Sequence, residues 1–452
     1  MPQLFGTDGI RGKANHYPMT PEVALKAGRS LVKTLSSQKK AKNVLIGKDT
    51  RLSGDMLECA IAAGICSAGA DAHICGVLPT PGIAYLTASE SMDAGVVISA
   101  SHNPYADNGI KIFNSSGFKL SMEMEAAIDR MIQDADPDMF MSYKDAIGTV
   151  RPRPMLENQY AAFLIQTLSG ARPLSGFKVV LDCSNGATYR VAPHVFESLG
   201  ARVTTICAAP DGKNINQGCG SQDTAKLKEM VIEQGADIGL AFDGDGDRLI
   251  AVDETGRNAT GDQILAICAK YLKEAGRLSN NRVVSTVMSN VGFHKAMGEL
   301  GIELIITDVG DRCVLEQMQA LGSVIGGEDS GHMIFLDRHT SGDGILTGLR
   351  LIQVMLETGK SLSRLSSVMA VYPQVLMNVE INEKQDIYQI PEIKRVISNI
   401  EQKLGQQGRV LVRYSGTQPL CRVMVEGPDA EQTHKYCMEI VDVIQAKIGA
   451  GV

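Results

Sequence analysis

Lys178-Val179-Val180-Leu181-Asp182 leads, past a helical stretch closing at Leu199-Gly200, into Arg202-Val203-Thr204. Two short apolar strands joined by a helix make a crossover unit of a parallel α/β sheet. The unit recurs on either side. Val44-Leu45-Ile46-Gly47 runs through a helix ending near Gly69 to Ala72-His73-Ile74-Cys75. Arg282-Val283-Val284-Ser285 runs past Leu300-Gly301 to Glu303-Leu304-Ile305-Ile306. Each helix closes on glycine, the residue that a left-handed C-terminal cap prefers. With 46 glycines, 5 % aromatics and no Trp, the chain suits many tight strand-to-helix turns.

Upstream of the first unit, Thr20 before Pro21 reads as an N-cap followed by Pro at N1. Val23, Ala27, Leu31 and Leu35 then fall on one helical stripe. The C-terminal part reads differently. A strand over 375–381 precedes a helix with apolar Ile393, Val396, Ile397, Ile400 and Leu404. Strands over 409–413 and 421–425 and a last helix with Ile440, Val441 and Ile444 complete a separate α+β module. Boundaries fall at Arg151-Pro152-Arg153-Pro154, at the turn over 254–256, and near Val371-Tyr372-Pro373. The chain therefore divides into 1–153, 154–254, 255–370 and 371–452.

Composition narrows the function. In 452 residues, 44 Lys and Arg against 51 Asp and Glu give a net charge of −7, which argues against a nucleic-acid coat or a polybasic membrane patch. No apolar run approaches the roughly 18 residues of a spanning helix. The opening Met1-Pro2-Gln3-Leu4-Phe5 lacks the basic head and apolar stretch of a signal peptide. Ten cysteines lie scattered without a C-x-x-C, so neither a disulfide framework nor a zinc site is expected. A reducing cytoplasm is the expected location.

Four loops carry chemistry. Asp243-Gly244-Asp245-Gly246-Asp247-Arg248 follows the apolar run Ile238–Phe242 directly. Three carboxylates on alternate positions can turn to one point and make a hard oxygen site for Mg²⁺ or Ca²⁺. Left unpaired they repel one another. An EF-hand would place Glu254 at its twelfth position, but Arg248 stands where that loop needs Gly, and strands flank it. A solvated acidic turn is the bland alternative. Ser99-Ala100-Ser101-His102-Asn103-Pro104 ends the strand Gly95-Val96-Val97-Ile98, where α/β sheets hold ligands. It reads as a Ser/His nucleophile pair, as a phosphoryl-carrying serine with His102 and a nearby Lys, or as a capped turn. No G-x-S-x-G elbow supports the first of these. Arg413-Tyr414-Ser415-Gly416-Thr417-Gln418-Pro419, with Arg422, reads as a phosphate cradle or a plain hairpin loop. Gly326-Gly327-Glu328-Asp329-Ser330-Gly331-His332 offers carboxylate, hydroxyl and imidazole to sugar hydroxyls, or is a polar turn between buried flanks. Polar clusters at Gly6–Gly12, Gly47–Arg51 and Asp308–Arg312 read as salt-bridged turns, and His16, His73, His194 and His294 as structural.

Taken together and in order, S-A-S-H-N-P, D-G-D-G-D-R, G-G-E-x-S-G-H and R-x-S-G-T-x-P resemble the loops of the α-D-phosphohexomutase superfamily over essentially the whole chain. Phe5-Gly6-Thr7-Asp8-Gly9-Ile10-Arg11-Gly12, Pro104-Tyr105-Ala106-Asp107-Asn108-Gly109-Ile110-Lys111 and Asp211-Gly212-Lys213-Asn214-Ile215-Asn216 with Cys219-Gly220-Ser221 are similar to its bacterial glucosamine-phosphate branch, as is the ending Arg422-Val423-Met424-Val425-Glu426-Gly427. The chain departs from that branch with Asp329 for Gln, and with Tyr414 and Gln418 for Pro and Glu.

The resemblance implies three α/β domains with mixed, largely parallel sheets and a smaller C-terminal α+β domain around a central active-site cleft. It implies interconversion of glucosamine 6-phosphate and glucosamine 1-phosphate, with phosphoglucomutase or phosphomannomutase activity by the same chemistry as the alternative. Ser101 would be the phosphoserine, activated by phosphorylation, with Lys111 and Arg11 near the reacting oxygens and Lys111 and His102 handling protons. One Mg²⁺ per subunit would be held by Asp243, Asp245, Asp247 and a phosphate oxygen on Ser101. Glu328, Ser330 and His332 would hold the sugar with Arg248, Asp311 and Arg312. Arg413, Ser415, Gly416, Thr417 and Arg422 would hold the phosphate that is not being transferred. The resemblance further implies hexosamine or glucose 1,6-bisphosphate as activator, a small sugar phosphate as partner rather than nucleic acid or membrane, and a monomer or homodimer.

Overall fold

The computed structural model describes residues 3–6, 8–36, 42–134, 147–414 and 419–450. They form two compact units, 1–287 with 303–367 and 288–302 with 368–452.

The larger unit holds three sheets built on one plan. In the first, the strands Asp107–Asn114, Ala94–Ile98, Asn43–Lys48 and Asp71–Val77 lie side by side in that order. The last three are parallel and Asp107–Asn114 runs against them. The second sheet repeats the order with Leu249–Asp253, Ile238–Phe242, Lys178–Asp182 and Arg202–Ile206. The third repeats it with Met333–Phe335, Ile325–Gly327, Arg282–Thr286 and Glu303–Thr307. The expected unit of two parallel strands is thus half of a larger, four-stranded one. A third parallel strand enters beside the first, and an antiparallel strand folds back on it. Phe5–Gly6, Gly9–Lys13 and Val150–Pro152 extend the first sheet, and Asn258–Ala259 extends the second.

The glycine caps are seen as expected. Gly69, Gly200 and Gly301 all have positive φ. In each case the next residue donates its N–H back five residues: Ala70 to Ile65, Ala201 to Phe196, and Ile302 to Met297. That is the Schellman closure, which satisfies helix carbonyls and turns the chain into the following strand. Val23, Ala27 and Leu31 of the helix Pro21–Ser36 are buried on the first sheet's core, with Leu35 at its margin.

One boundary differs from expectation. A division after 254 would cut a hairpin, because Leu249–Asp253 pairs with Asn258–Ala259 and Asp253 N donates to Arg257 O at 2.8 Å. The second sheet therefore runs on to Ala259.

The smaller unit is an antiparallel sheet ordered Gln374–Glu380, Leu420–Glu426, Arg409–Tyr414. The helices Pro391–Leu404 and Ala430–Ile448 bury Ile393, Ile397, Ile400, Leu404, Ile440 and Ile444 against Val412, Val423 and Val425. Residues 288–302, expected in the third domain, cluster here. Asn290 exchanges two hydrogen bonds with the Tyr372 backbone (2.9 and 3.0 Å), and Val291 N donates to the buried Glu426 at 3.0 Å.

His339 ties the third sheet's module to the first. Its Nε2 lies 3.0 Å from Pro81 O, and its Nδ1 accepts from Ser341 N at 3.1 Å. Those partners require the neutral ring with the proton on Nε2. Burial outweighs the Pro81 bond and lowers its pKa from 6.5 to about 4. The unfolded chain therefore takes up the proton first as pH falls, and stability is lost between about pH 6.5 and 4. The loss approaches about 3 kcal/mol. His339→Gln keeps a donor and an acceptor without titrating. Denaturant unfolding across that range is expected to show a steeper acid loss in the native chain than in the variant, and parallel curves would refute it.

Candidate active site

The three chemistry-bearing loops of the larger unit occupy one topological position. Each joins the third parallel strand to its antiparallel neighbour: Ile98 to Asp107, Phe242 to Leu249, and Gly327 to Met333. They leave the carboxyl ends of parallel strands, where open α/β sheets bind ligands.

Ser101 stands at the first tip with φ 51°, a left-handed turn uncommon for a non-glycine residue. Its buried Oγ donates to Asp243 Oδ2 at 2.5 Å, and His102 Nδ1 lies 3.4 Å away. The loop is held by Arg51, whose side chain is fully buried. Its guanidinium pairs with Asp49 at 2.8 Å and donates to Ser101 O (2.9 Å), Asn103 O (2.8 Å), Asp107 O (3.0 Å) and Pro104 O. Asn216 adds Nδ2 donations to Ser101 O at 2.9 Å and Asn103 O at 3.0 Å. Ser99 Oγ links Asp49 Oδ2 (2.6 Å) to Ser101 N (3.0 Å).

Ligand oxygens of Asp243, Asp245 and Asp247 lie within 4.8 Å of one another, all buried. The intervening glycines are required. A Cβ on Gly244 would stand 2.6 Å from Ser101 O, and Gly246 has φ 73°. Burial, then Asp247 and Asp245, push the Asp243 carboxyl well above its ordinary range. Burial also raises Asp247, but Lys111, His332 and Arg248 outweigh it and hold that carboxyl well below. Asp245 Oδ1 and Asp247 Oδ1 accept no hydrogen bond among the described residues. Buried carboxylate oxygens left open toward a common point are a donor set for a hard divalent cation. Thr80 fixes the middle one, through Oγ1 to Asp245 Oδ2 at 2.6 Å.

Lys111 comes from the antiparallel strand and buries its ammonium among Asp245 (2.9 Å), Asp8 (3.1 Å) and Asp247 (3.4 Å). Burial disfavours that charge, yet the carboxylates prevail and its pKa lies well above the ordinary value. Asp8 also pairs with Arg11 and Lys119. His102 is the reverse case. Burial, then Arg248 and Arg11, lower it to about 4, so its ring is neutral at neutral pH.

In the third loop His332 Nδ1 lies 3.7 Å from Asp247 Oδ1 and Nε2 3.8 Å from Asp311 Oδ2. Burial lowers it, but Asp247 leads the carboxylates that raise its pKa overall. Glu328 Oε1 accepts from Gly310 N at 3.1 Å, and Ser330 Oγ is buried with no hydrogen-bond partner among the described residues. Asp311 pairs with Lys119, and Arg312 pairs with Glu125 at 2.6 Å, so both bridge the third module to the first. Arg248 Nε lies 3.7 Å from Asp247.

In the smaller unit Arg413 and Arg422 are directly opposed across two strands. Like charges so placed repel, an arrangement suited to an anion. Ser415, Gly416 and Thr417 lie outside the described residues, as does Thr7. Sequence reasoning missed Thr80, Lys119, Glu125 and the loop-holding roles of Arg51 and Asn216. Arg51 stands in the polar cluster 47–51 and Asn216 in the segment 211–216 that carries part of the resemblance, and Thr80-Pro81 carries the Pro signal of a helix start behind a strand.

Family models for phosphoglucomutase/phosphomannomutase match in four successive pieces: alpha/beta/alpha domain I over 2–139, domain II over 158–256, domain III over 260–372, and the C-terminal domain over 376–443. The phosphoglucosamine mutase of Syntrophus aciditrophicus is 55 % identical over 449 residues, 99 % of this chain and all of the relative. The chain belongs to the phosphoglucosamine mutase branch of the α-D-phosphohexomutases. The fold is shared more widely in this superfamily. A Burkholderia thailandensis phosphoglucomutase/phosphomannomutase family protein superposes with a TM-score of 0.80 at 22 % identity, covering 99 % of each chain. The Aspergillus fumigatus N-acetylphosphoglucosamine mutase, solved with GlcNAc-6P and magnesium, gives 0.71 at 17 % identity over 98 % and 95 %.

Arg51→Lys should report on the loop scaffold. One ammonium cannot serve the carboxylate and four carbonyls that the planar fork serves. Stability is expected to fall by roughly 1–3 kcal/mol, the cost of leaving buried carbonyls unsatisfied, and kcat by about a hundredfold, the scale on which a misplacement of about 1 Å acts. Unchanged melting and turnover would contradict this.

Proposed function

We infer that the chain interconverts glucosamine 6-phosphate and glucosamine 1-phosphate through a phosphoserine at Ser101 and a sugar 1,6-bisphosphate. The observation that carries the reading is Ser101 Oγ, buried and 2.5 Å from Asp243 at the edge of the acidic triad, with the Lys111 ammonium on the triad's other members. Such a hydroxyl is placed to accept and return a phosphoryl group, a transfer that needs positioning and charge neutralisation above all. Membership of the glucosamine branch supports the choice of sugar.

Asp243, Asp245 and Asp247, with a phosphate oxygen on Ser101, would hold one Mg²⁺. Bound there, the ion supplies neutralisation of phosphoryl charge. Lys111, ringed by three carboxylates, acts as a fixed cation beside the reacting oxygens, together with Arg11. His102, a neutral ring with Nδ1 3.4 Å from Ser101 Oγ, and Lys111 are the candidates for handling protons at the reacting oxygens. Glu328, Ser330, His332 and Arg248 are placed for the sugar. Asp311 and Arg312 contribute through their ion pairs with Lys119 and Glu125. The opposed Arg413 and Arg422, with Ser415, Gly416 and Thr417, would receive the phosphate that stays on the sugar. After the first transfer the bisphosphate turns around and returns its other phosphate to Ser101. A trace of hexosamine or glucose 1,6-bisphosphate therefore keeps Ser101 phosphorylated. We also propose the four-domain division, with the second domain ending at Ala259.

With Mg²⁺ and a trace of bisphosphate, kcat/KM is expected to be higher for glucosamine 6-phosphate than for glucose 6-phosphate or mannose 6-phosphate. Preference for either of the others would reassign the substrate. Ser101→Ala should lose nearly all turnover while melting normally, and retained turnover would remove Ser101 from the chemistry. Asp245→Asn takes one charge from the triad and should raise the Mg²⁺ needed for half-maximal rate by about tenfold, the worth of one charge-assisted contact of about 1.5 kcal/mol. An unchanged Mg²⁺ titration would refute the triad as its site.

A further inference from the structure

We propose that Cys207 and Cys219 are an oxidation site, closing to a reversible disulfide that disturbs the seat of the Ser101 loop. The thiol chemistry stands on its own geometry, and its effect on rate rests on the function proposed above. The two sulfurs and an Asp182 carboxylate oxygen all lie within 4.8 Å of one another. Cys219 is buried and Cys207 half-buried, so a small oxidant has one thiol to reach and one waiting behind it. Asp182 accepts from Gly220 N at 2.9 Å and Ser184 N at 2.9 Å, which pins the Cys219 side of the pair to the end of a central strand. Cys207 leaves its strand with φ 49°, a left-handed turn uncommon for this residue type. The hydrogen bond from Cys219, aided by Lys226, holds the Cys207 thiol below its ordinary value against burial and Asp182. The more exposed sulfur is therefore the better nucleophile.

Between the two cysteines runs the segment 208–218, a strap across the back of the Ser101 loop. Asn216 on it donates to Ser101 O and Asn103 O at 2.9 and 3.0 Å and takes its own N–H to Ser184 O at 2.8 Å. Gly212 O accepts from Leu52 N at 2.8 Å, beside Arg51. An S–S bond of about 2.05 Å draws the ends of this strap together and pulls on Asn216.

A peroxide is the oxidant class. The Cys207 thiolate attacks one peroxide oxygen; the O–O bond breaks, leaving a sulfenic acid and hydroxide, which takes a proton to become water. The Cys219 sulfur then attacks the sulfenic sulfur, giving up its proton, and the S–O bond breaks to release a second water. Two thiols and one peroxide become one disulfide and two waters, and the two electrons lost by sulfur are those the peroxide gains.

The test treats the full chain with hydrogen peroxide, blocks free thiols by alkylation and maps peptides by mass spectrometry. A Cys207–Cys219 linked peptide that disappears with dithiothreitol is expected, with a fall in mutase rate of between about ten- and a hundredfold that dithiothreitol restores. Cys207→Ser should keep the basal rate and lose the response to peroxide. A bridge through the neighbouring Cys183, freely alkylated Cys207 after treatment, a disulfide without loss of rate, or equal inactivation of Cys207→Ser would each overturn the proposal. Peptide mapping needs no turnover. A chain that forms the bridge yet turns over no sugar phosphate before oxidation would count against the proposed function, not against the thiol pair.

Discussion

Asp243, Asp245 and Asp247 are buried side by side, and no sheet of this size tolerates three such charges without cations brought to them. The surrounding residues read as the answer to that constraint. Lys111 is buried although a lysine is among the residues least often buried, because three carboxylates surround it. His332 is drawn toward its charged form by Asp247 first, and Arg248 flanks the same carboxylate. Even so, Asp245 Oδ1 and Asp247 Oδ1 accept no hydrogen bond among the described residues, which suits a bound cation.

That charge centre is assembled from loops far apart in sequence because the larger unit repeats one sheet three times. In each copy the chemistry sits between the third parallel strand and the strand that folds back on it. The repetition supplies equivalent positions, and each copy fills its own differently: a hydroxyl in the first, carboxylates in the second, and a carboxylate, a hydroxyl and an imidazole in the third. Ion pairs then join the copies. Lys119 of the first meets Asp311 of the third, and Glu125 meets Arg312. Asn216 of the second copy holds the Ser101 loop of the first, so the placement of Ser101 against Asp243 depends on contacts across modules as well as on its own loop.

The legible part of this in sequence was whatever is local. A helix closing on glycine between apolar strands is a short-range pattern, and all three were found with their Schellman closures in place. Alternating Asp and Gly after an apolar strand is equally local, and so were the motifs that carry the family resemblance. What stayed hidden was long-range. Arg51 reaches a loop some fifty residues on, Asn216 reaches back to Ser101, and Thr80 meets Asp245 across two modules. A lone polar residue in a turn carries no mark of the carbonyl that it will find. The third parallel strands were visible as apolar runs before the motif loops, but nothing in the sequence marks their pairing beside the first strand of each unit, which is a long-range contact. The hairpin ending at Ala259 hid for a related reason: a two-residue edge strand has no periodicity to read.

Asp329 shows how position inside a motif differs from a role in it. It stands in the middle of the sugar loop where the branch carries Gln, and sequence alone makes it a candidate for altered sugar choice. Its Oδ1 instead accepts from Asp262 N at 3.2 Å, at the start of the helix Gly261–Glu274. A carboxylate there answers unsatisfied backbone donors and the positive end of the helix. On either side, Glu328 accepts from Gly310 N, and Ser330 Oγ is buried with no hydrogen-bond partner among the described residues. The change from amide to carboxylate is therefore absorbed by the scaffold behind the loop.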